Sequence, residues 1–115
     1  LQGQYLLEES DAMKRFDDSI GCIGHWLKPG IVYEIPYRTL VNKKYANIFA
    51  SGRAISSAGD AWEATRVIPP AVLTGQAAGT AAALAIEQKC ALADVPIADL
   101  QKRMQASGVM IHYRT

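Results

Sequence analysis

The part of this sequence best placed to do chemistry is a helix start. Ile68 to Val72 follows a short strand pattern, a glycine and a loop, and opens a long helix-compatible run. Unpaired backbone N–H groups at such an end, with the helix dipole behind them, make an electropositive spot for an anionic or electron-rich ligand. The helix itself, GQAAGTAAALA over 75–85, has almost no side-chain bulk, so a flat cofactor can come near. Other chemical patterns are weak. Cys22 and Cys90 stand alone, without CxxC or Cys/His spacing. That argues against a metal site and suits a reducing, cytoplasmic setting. Ser56 and Ser57 have no adjacent histidine to activate them.

The elements that must position this helix start follow from local patterns. The chain has 115 residues, half of them hydrophobic and a fifth charged, with a net charge of +1. That suits a small globular unit and gives no electrostatic case for nucleic acid or an acidic membrane surface. Residues 1–9 read as a strand, and Ser10-Asp11 as a helix start with Met13 and Phe16 inward. Residues 19–27 and 31–36 read as a hairpin, joined by Lys28-Pro29-Gly30 as a type II turn. Residues 37–45 read as a loop, 47–51 (NIFAS) as a short buried strand, and 54–66 show no clear period. Pro69-Pro70 sets the long helix at about Pro70 to Lys89, with Lys89 in the last turn. A last helix spans about Pro96 to Ala106, with Ile97, Leu100 and Met104 inward and Asp99 and Arg103 paired, and Gly108 ends it. The tail 109–113 reads as an edge strand. The fold class expected is α+β. The absence of a basic-then-apolar start argues against a signal peptide, and the start at Leu1 reads as a cut edge.

Ala71, Gly75, Gly79 and Ala83 share one face of the long helix. Each helical glycine costs about 1 kcal/mol against alanine, so close packing must offset it. Three readings compete. A membrane helix with GxxxG is one, weakened by the two prolines, Gln76 and the mild polarity of alanine. A buried helix against a sheet or another helix is the second. The third adds a cofactor at the N-terminal turn.

Taken together, YEIPYRTLV (33–41), NIFASGRAIS (47–56), ATRVIPPAVLTGQAAGTAAALA (64–85) and DLQKRMQASGVMI (99–111) resemble the C-terminal part of the FAD-dependent oxidoreductase family. DDSIGCIGHW (17–26) is similar to that family's segment before the hairpin. The resemblance implies a fragment of an FAD/NAD(P)-binding, Rossmann-like flavoprotein, with 1–46 as part of a substrate or cap domain and 47–115 as the end of the FAD domain. It implies FAD contacts from Gly52 and Arg53 near the diphosphate and ribityl chain, where glycine lets backbone approach and arginine offers a forked donor. It further implies that Val67, Ile68, Pro70 and Ala71 meet the pyrimidine edge of the flavin, with Arg66 facing the same edge or pairing with Glu63 or Asp60. Without the resemblance, Arg53 reads as a surface ion pair.

The family's GxGxxG turn, which holds the ADP half of FAD, does not occur in these residues. The resemblance therefore implies that the chain is the C-terminal piece of a longer enzyme, inactive alone, whose partners are the missing N-terminal FAD region and a small-molecule substrate. His25 is the histidine placed for acid or base work, or else a histidine bonded to backbone. Arg38 is placed to hold a substrate carboxylate or carbonyl, or else ends a strand in solvent. The other functional class left open is a small α+β interaction domain that packs its Gly/Ala helix on a partner, or on a second copy, and binds no cofactor.

Overall fold

The apolar run after Asp17 folds into the expected hairpin. In the structure, a computed structural model that describes residues 2–113, β1 (Ser19–Gly24) pairs antiparallel with β2 (Val32–Pro36). Cys22 lies opposite Glu34, Ile23 opposite Tyr33 and Gly24 opposite Val32. The Ile31 N–H returns to the Lys28 C=O at 3.2 Å, closing the turn that Pro29-Gly30 shapes. Ile20, Tyr33 and Ile35 are fully buried.

The helices are α1 (Gly59–Thr65), α2 (Ile68–Gln88) and α3 (Ile97–Ala106). The expected start of α2 at Pro70 moves two residues earlier. Val67 is its extended cap, and Pro69 and Pro70 occupy the first turn, where a missing N–H costs little. At the other end Lys89 is not in the last turn. It caps the helix in the left-handed conformation at φ 51, and the Cys90 N–H returns to Ala85 C=O at 3.1 Å. The buried face of α2 runs Pro70, Thr74, Ala77, Ala81, Leu84 and Ala85, a three-and-four repeat of mostly small residues. Ala71 is half-buried, and Gly75, Gly79 and Ala83 face outward. No atom lies within 4 Å of a Cβ built on either glycine.

Helix α2 rests on the hairpin at Gly21. This residue has φ 152, and a Cβ there would sit 2.7 Å from Leu73 Cδ1. Bare backbone is what lets the two elements meet. Helix α3 buries Leu100 and Met104. Its Arg103 pairs with Glu87 of α2 at 2.6 Å rather than with Asp99, whose Oδ2 accepts from Gln88 at 3.1 Å. An i,i+4 pair is worth only a few tenths of a kcal/mol, so partners across the helix–helix contact win.

Three strand expectations are corrected. The described part of 1–9, residues 2–9, makes only single bridges, Gly3 to Asn42 and Leu7 to Ser57, and Ser10-Asp11 belongs to a short 3-10 turn, Glu9–Asp11. Phe16 is buried as expected, while Met13 is half-buried at φ 64. NIFAS makes one bridge, Phe49 to Val41, and Asn47 and Ile48 are exposed. The tail runs along β1 through a single backbone bond, Cys22 N–H to Met110 C=O at 3.1 Å. A strand needs a neighbour of its own length to take up its backbone groups. Among the described residues, none of these segments has one.

Helix α1 lies where no period was visible. No single helix among the described residues is long and apolar enough to cross a membrane, and α1 and α2 together bend by 84°. Buried residues from both halves of the chain, Leu7, Tyr33 and Leu40 with Leu84, Leu100 and Met104, form one apolar core.

Candidate cofactor-contacting site

Arg53, Arg66, Val67, Ile68, Pro69 and Ala71 line one open groove of about 470 Å³ at the start of α2. Gly52 stands beside it. Its φ of 64 is strained for any side chain, and a Cβ there would lie 3.8 Å from Ala71 Cβ. The Gly52 N–H donates to Thr74 Oγ1 at 2.8 Å, and that hydroxyl donates to Pro70 C=O at 2.8 Å. Thr74, which the sequence reading passed over, thus fastens the Ser-Gly-Arg turn to the first turn of α2. Pro70 is buried and faces the other way, into a neighbouring cleft with Gly24, Trp26 and Leu73.

The supply of backbone donors is smaller than a helix start suggests. Pro69 and Pro70 have no N–H, and the Ala71 N–H is bonded to Val67 C=O at 3.3 Å. Of this turn, Val67 and Ile68 alone bring N–H groups that the helix does not use. The two arginines supply the rest of the positive character. Arg53 is exposed. Arg66 makes the ion pair with Glu63, Nε to Oε2 at 3.0 Å, and not with Asp60. Its guanidinium also lies over the rings of Trp26 and Trp62, at 5.6 and 5.4 Å from their centroids. These contacts hold the group in place and use one of its five N–H bonds, leaving the Nη donors for the groove.

His25 and Arg38 are not brought to the groove. The His25 side chain is 1% exposed. Its Nδ1 accepts the Leu27 N–H at 3.1 Å, so Nε2 carries the proton to Asp60 Oδ1, also at 3.1 Å. Asp60 is a hub on α1. Lys28 Nζ reaches the same oxygen at 2.6 Å, and the Tyr33 hydroxyl donates to the other at 2.7 Å. The Lys28 bond, then the Tyr33 bond, draw the Asp60 carboxyl down to about 2. Burial, then the Asp60 bond, push the Tyr33 phenol up.

A depressed carboxyl stabilises the fold above its unfolded value, and that stability disappears as the pH falls through the folded one. Acid titration is therefore expected to loosen the contact between α1 and the hairpin between about pH 4 and about pH 2. In Asp60→Asn this step should vanish from a pH series of thermal melts.

Arg38 pairs with Asp18 at 2.9 Å and stacks over Tyr5, 4.7 Å from the ring centroid. Tyr37 donates to Leu92 C=O at 2.5 Å. His112 Nδ1 lies 2.8 Å from Oε1 of the buried Glu34, which also takes the Phe16 N–H at 2.8 Å. Glu34 Oε2 is buried and, among the described residues, has no hydrogen-bond partner. No group of three or more metal-ligating side chains occurs among the described residues.

A groove beside a left-handed glycine, flanked by two arginines and lined by Val67, Ile68, Pro69 and Ala71, suits the phosphate, sugar or electron-rich ring edge of a nucleotide-type cofactor. That makes the groove a candidate cofactor-contacting site on a small α+β fold. A family model described as FAD dependent oxidoreductase matches residues 1–104, and the chain belongs to this family. The family implies FAD, and the donor set around the groove fits that group. No curated protein and no solved structure matches the chain significantly.

Proposed function

We propose that this chain supplies the flavin-edge half of an FAD-dependent oxidoreductase that transfers hydride to or from a small organic substrate. The observation that carries this reading is the groove itself: Arg53, Arg66, Val67, Ile68 and Ala71, from two separate segments, share one opening. Gly52 lets backbone lie close to the cofactor, and Arg53 offers its fork to phosphate or ribityl oxygens. The Val67 and Ile68 N–H groups, the α2 dipole and Arg66 favour the charge that gathers at the pyrimidine edge. When bound, FAD supplies the hydride-accepting chemistry. The ADP half is held, on this reading, by a GxGxxG-bearing region outside this sequence. The outward face of α2 is where that region packs; it carries Ile68, Val72 and Ile86, 78, 64 and 79% exposed, around Gly75 and Gly79.

The test is a spectrum. The flavoenzyme carrying this chain and its upstream region should purify with visible flavin absorption or gain it on adding FAD. The chain alone should bind FAD at least about a hundredfold more weakly, because it lacks the diphosphate turn. A complete protein that stays colourless with added FAD would refute the reading.

A further inference from the structure

A second cleft adjoins the flavin-edge groove, and Val67 and Pro69 line both. It measures about 490 Å³, within the range of small-molecule sites. Its walls include Cys22, Trp26, Leu73 and Met110, and no charged side chain lines it. Trp26 and Met110 are large and exposed, at 50 and 65%. Burial, with Glu34 nearby, pushes the Cys22 thiol up to about 11, so it too adds no charge near neutral pH.

Among the described residues, the cleft also holds an unpaired stretch of sheet edge. The Cys22 N–H points away from β2, to Met110 C=O, while the His25 N–H points inward, to Ile31 C=O at 2.8 Å. In an antiparallel pair this alternation puts both the N–H and the C=O of Gly24 on the outer edge. Gly24 is exposed, and nothing lies within 4 Å of a Cβ built on it.

We propose that this cleft binds a small neutral molecule with an amide-like edge, an N–H beside a C=O, as in a lactam or a heteroaromatic ring. The ligand donates to Gly24 C=O and accepts from Gly24 N–H, with its apolar body against Trp26, Leu73 and Met110. A charged ligand would lose its water here, and no charged side chain lines the cleft to offset that loss; Arg66, whose guanidinium lies 5.6 Å from the Trp26 ring centroid, is already paired with Glu63. That this ligand is the substrate of the enzyme rests on the flavin-edge reading. Its binding does not.

The experiment is an amide NMR titration of the full chain, without flavin, using 2-quinolone, N-methyl-2-quinolone and 2-naphthoate. With 2-quinolone, the Gly24 amide and the Trp26 indole N–H should shift together. The N-methyl compound, which lacks the donor, should bind about tenfold more weakly. The anionic naphthoate should leave Gly24 unmoved, and Met110→Glu should weaken 2-quinolone about tenfold. An unmoved Gly24 at the solubility limit of 2-quinolone overturns the proposal, as does equal binding of all three probes. A complete enzyme without flavin whose chain still binds 2-quinolone would sink only the flavin reading.

Discussion

Replacing Gly21 with valine is expected to destabilise the chain by about 3 kcal/mol or more. Two penalties combine. At φ 152 a β-branched residue is strained, a cost of about 1–3 kcal/mol. A Cβ there would press on Leu73, 2.7 Å from Cδ1 and 2.8 Å from Cδ2, and overpacking of this kind costs about 1–3 kcal/mol. The measurement is thermal unfolding, with the midpoint falling by about 10 °C. Leu73→Ala in the same background should return the packing part and leave the backbone part, since the two sites are in contact and so couple. A Gly21→Val midpoint within about 2 °C of the parent would show that α2 does not rest on the hairpin as described.

The second large effect is on cofactor retention. In the complete flavoenzyme, Arg53→Ala should raise the FAD dissociation constant about tenfold to a hundredfold, the worth of a charge-assisted hydrogen bond or two. Arg53→Lys should recover only part of it, because a single ammonium cannot reproduce the fork. Equilibrium titration of apoenzyme with FAD checks this, with circular dichroism to show the fold intact. An unchanged dissociation constant would return Arg53 to the alternative of a surface charge.

Much of the frame was legible in the residue order. Pro29-Gly30 between two apolar runs announces the hairpin, and the pair Pro69-Pro70 followed by an uncharged run announces α2, because both signals are local. Helix α1 was not legible. It has seven residues, opens on a glycine and carries no side-chain cap, so no periodicity marks it. The tail and NIFAS read as strands because β-branched and aromatic residues favour that geometry, but a ladder depends on neighbours that a local window does not contain.

The same distinction runs through the site. Gly52, Arg53, Arg66, Val67, Ile68, Pro70 and Ala71 came from a resemblance spread over the chain; five of these seven line the groove, Gly52 stands beside it, and Pro70 turns into the neighbouring cleft. Thr74, and the bond of Asp60 to His25, have no local signal because the partners are remote in sequence: Gly52 lies 22 residues from Thr74, and His25 lies 35 residues from Asp60. A threonine within a helix and an aspartate in an unseen helix have nothing beside them to signal such bonds. His25 likewise depends on a remote partner, the Asp60 carboxylate, and lies outside the groove. Both of its ring nitrogens already have partners.

The two prolines in the first turn of α2 have a consequence for how the groove responds to salt. Most helix starts offer an anion several fixed backbone dipoles, which dissolved ions screen poorly at contact distance. Here two of those positions have no hydrogen to offer, so on the flavin-edge proposal the exposed guanidinium of Arg53 would carry much of the attraction instead. Mobile ions compete well with an exposed cation, over a screening length of about 8–10 Å at physiological strength. Cofactor retention in this enzyme should therefore fall more steeply with ionic strength than in one whose helix start keeps all its amides.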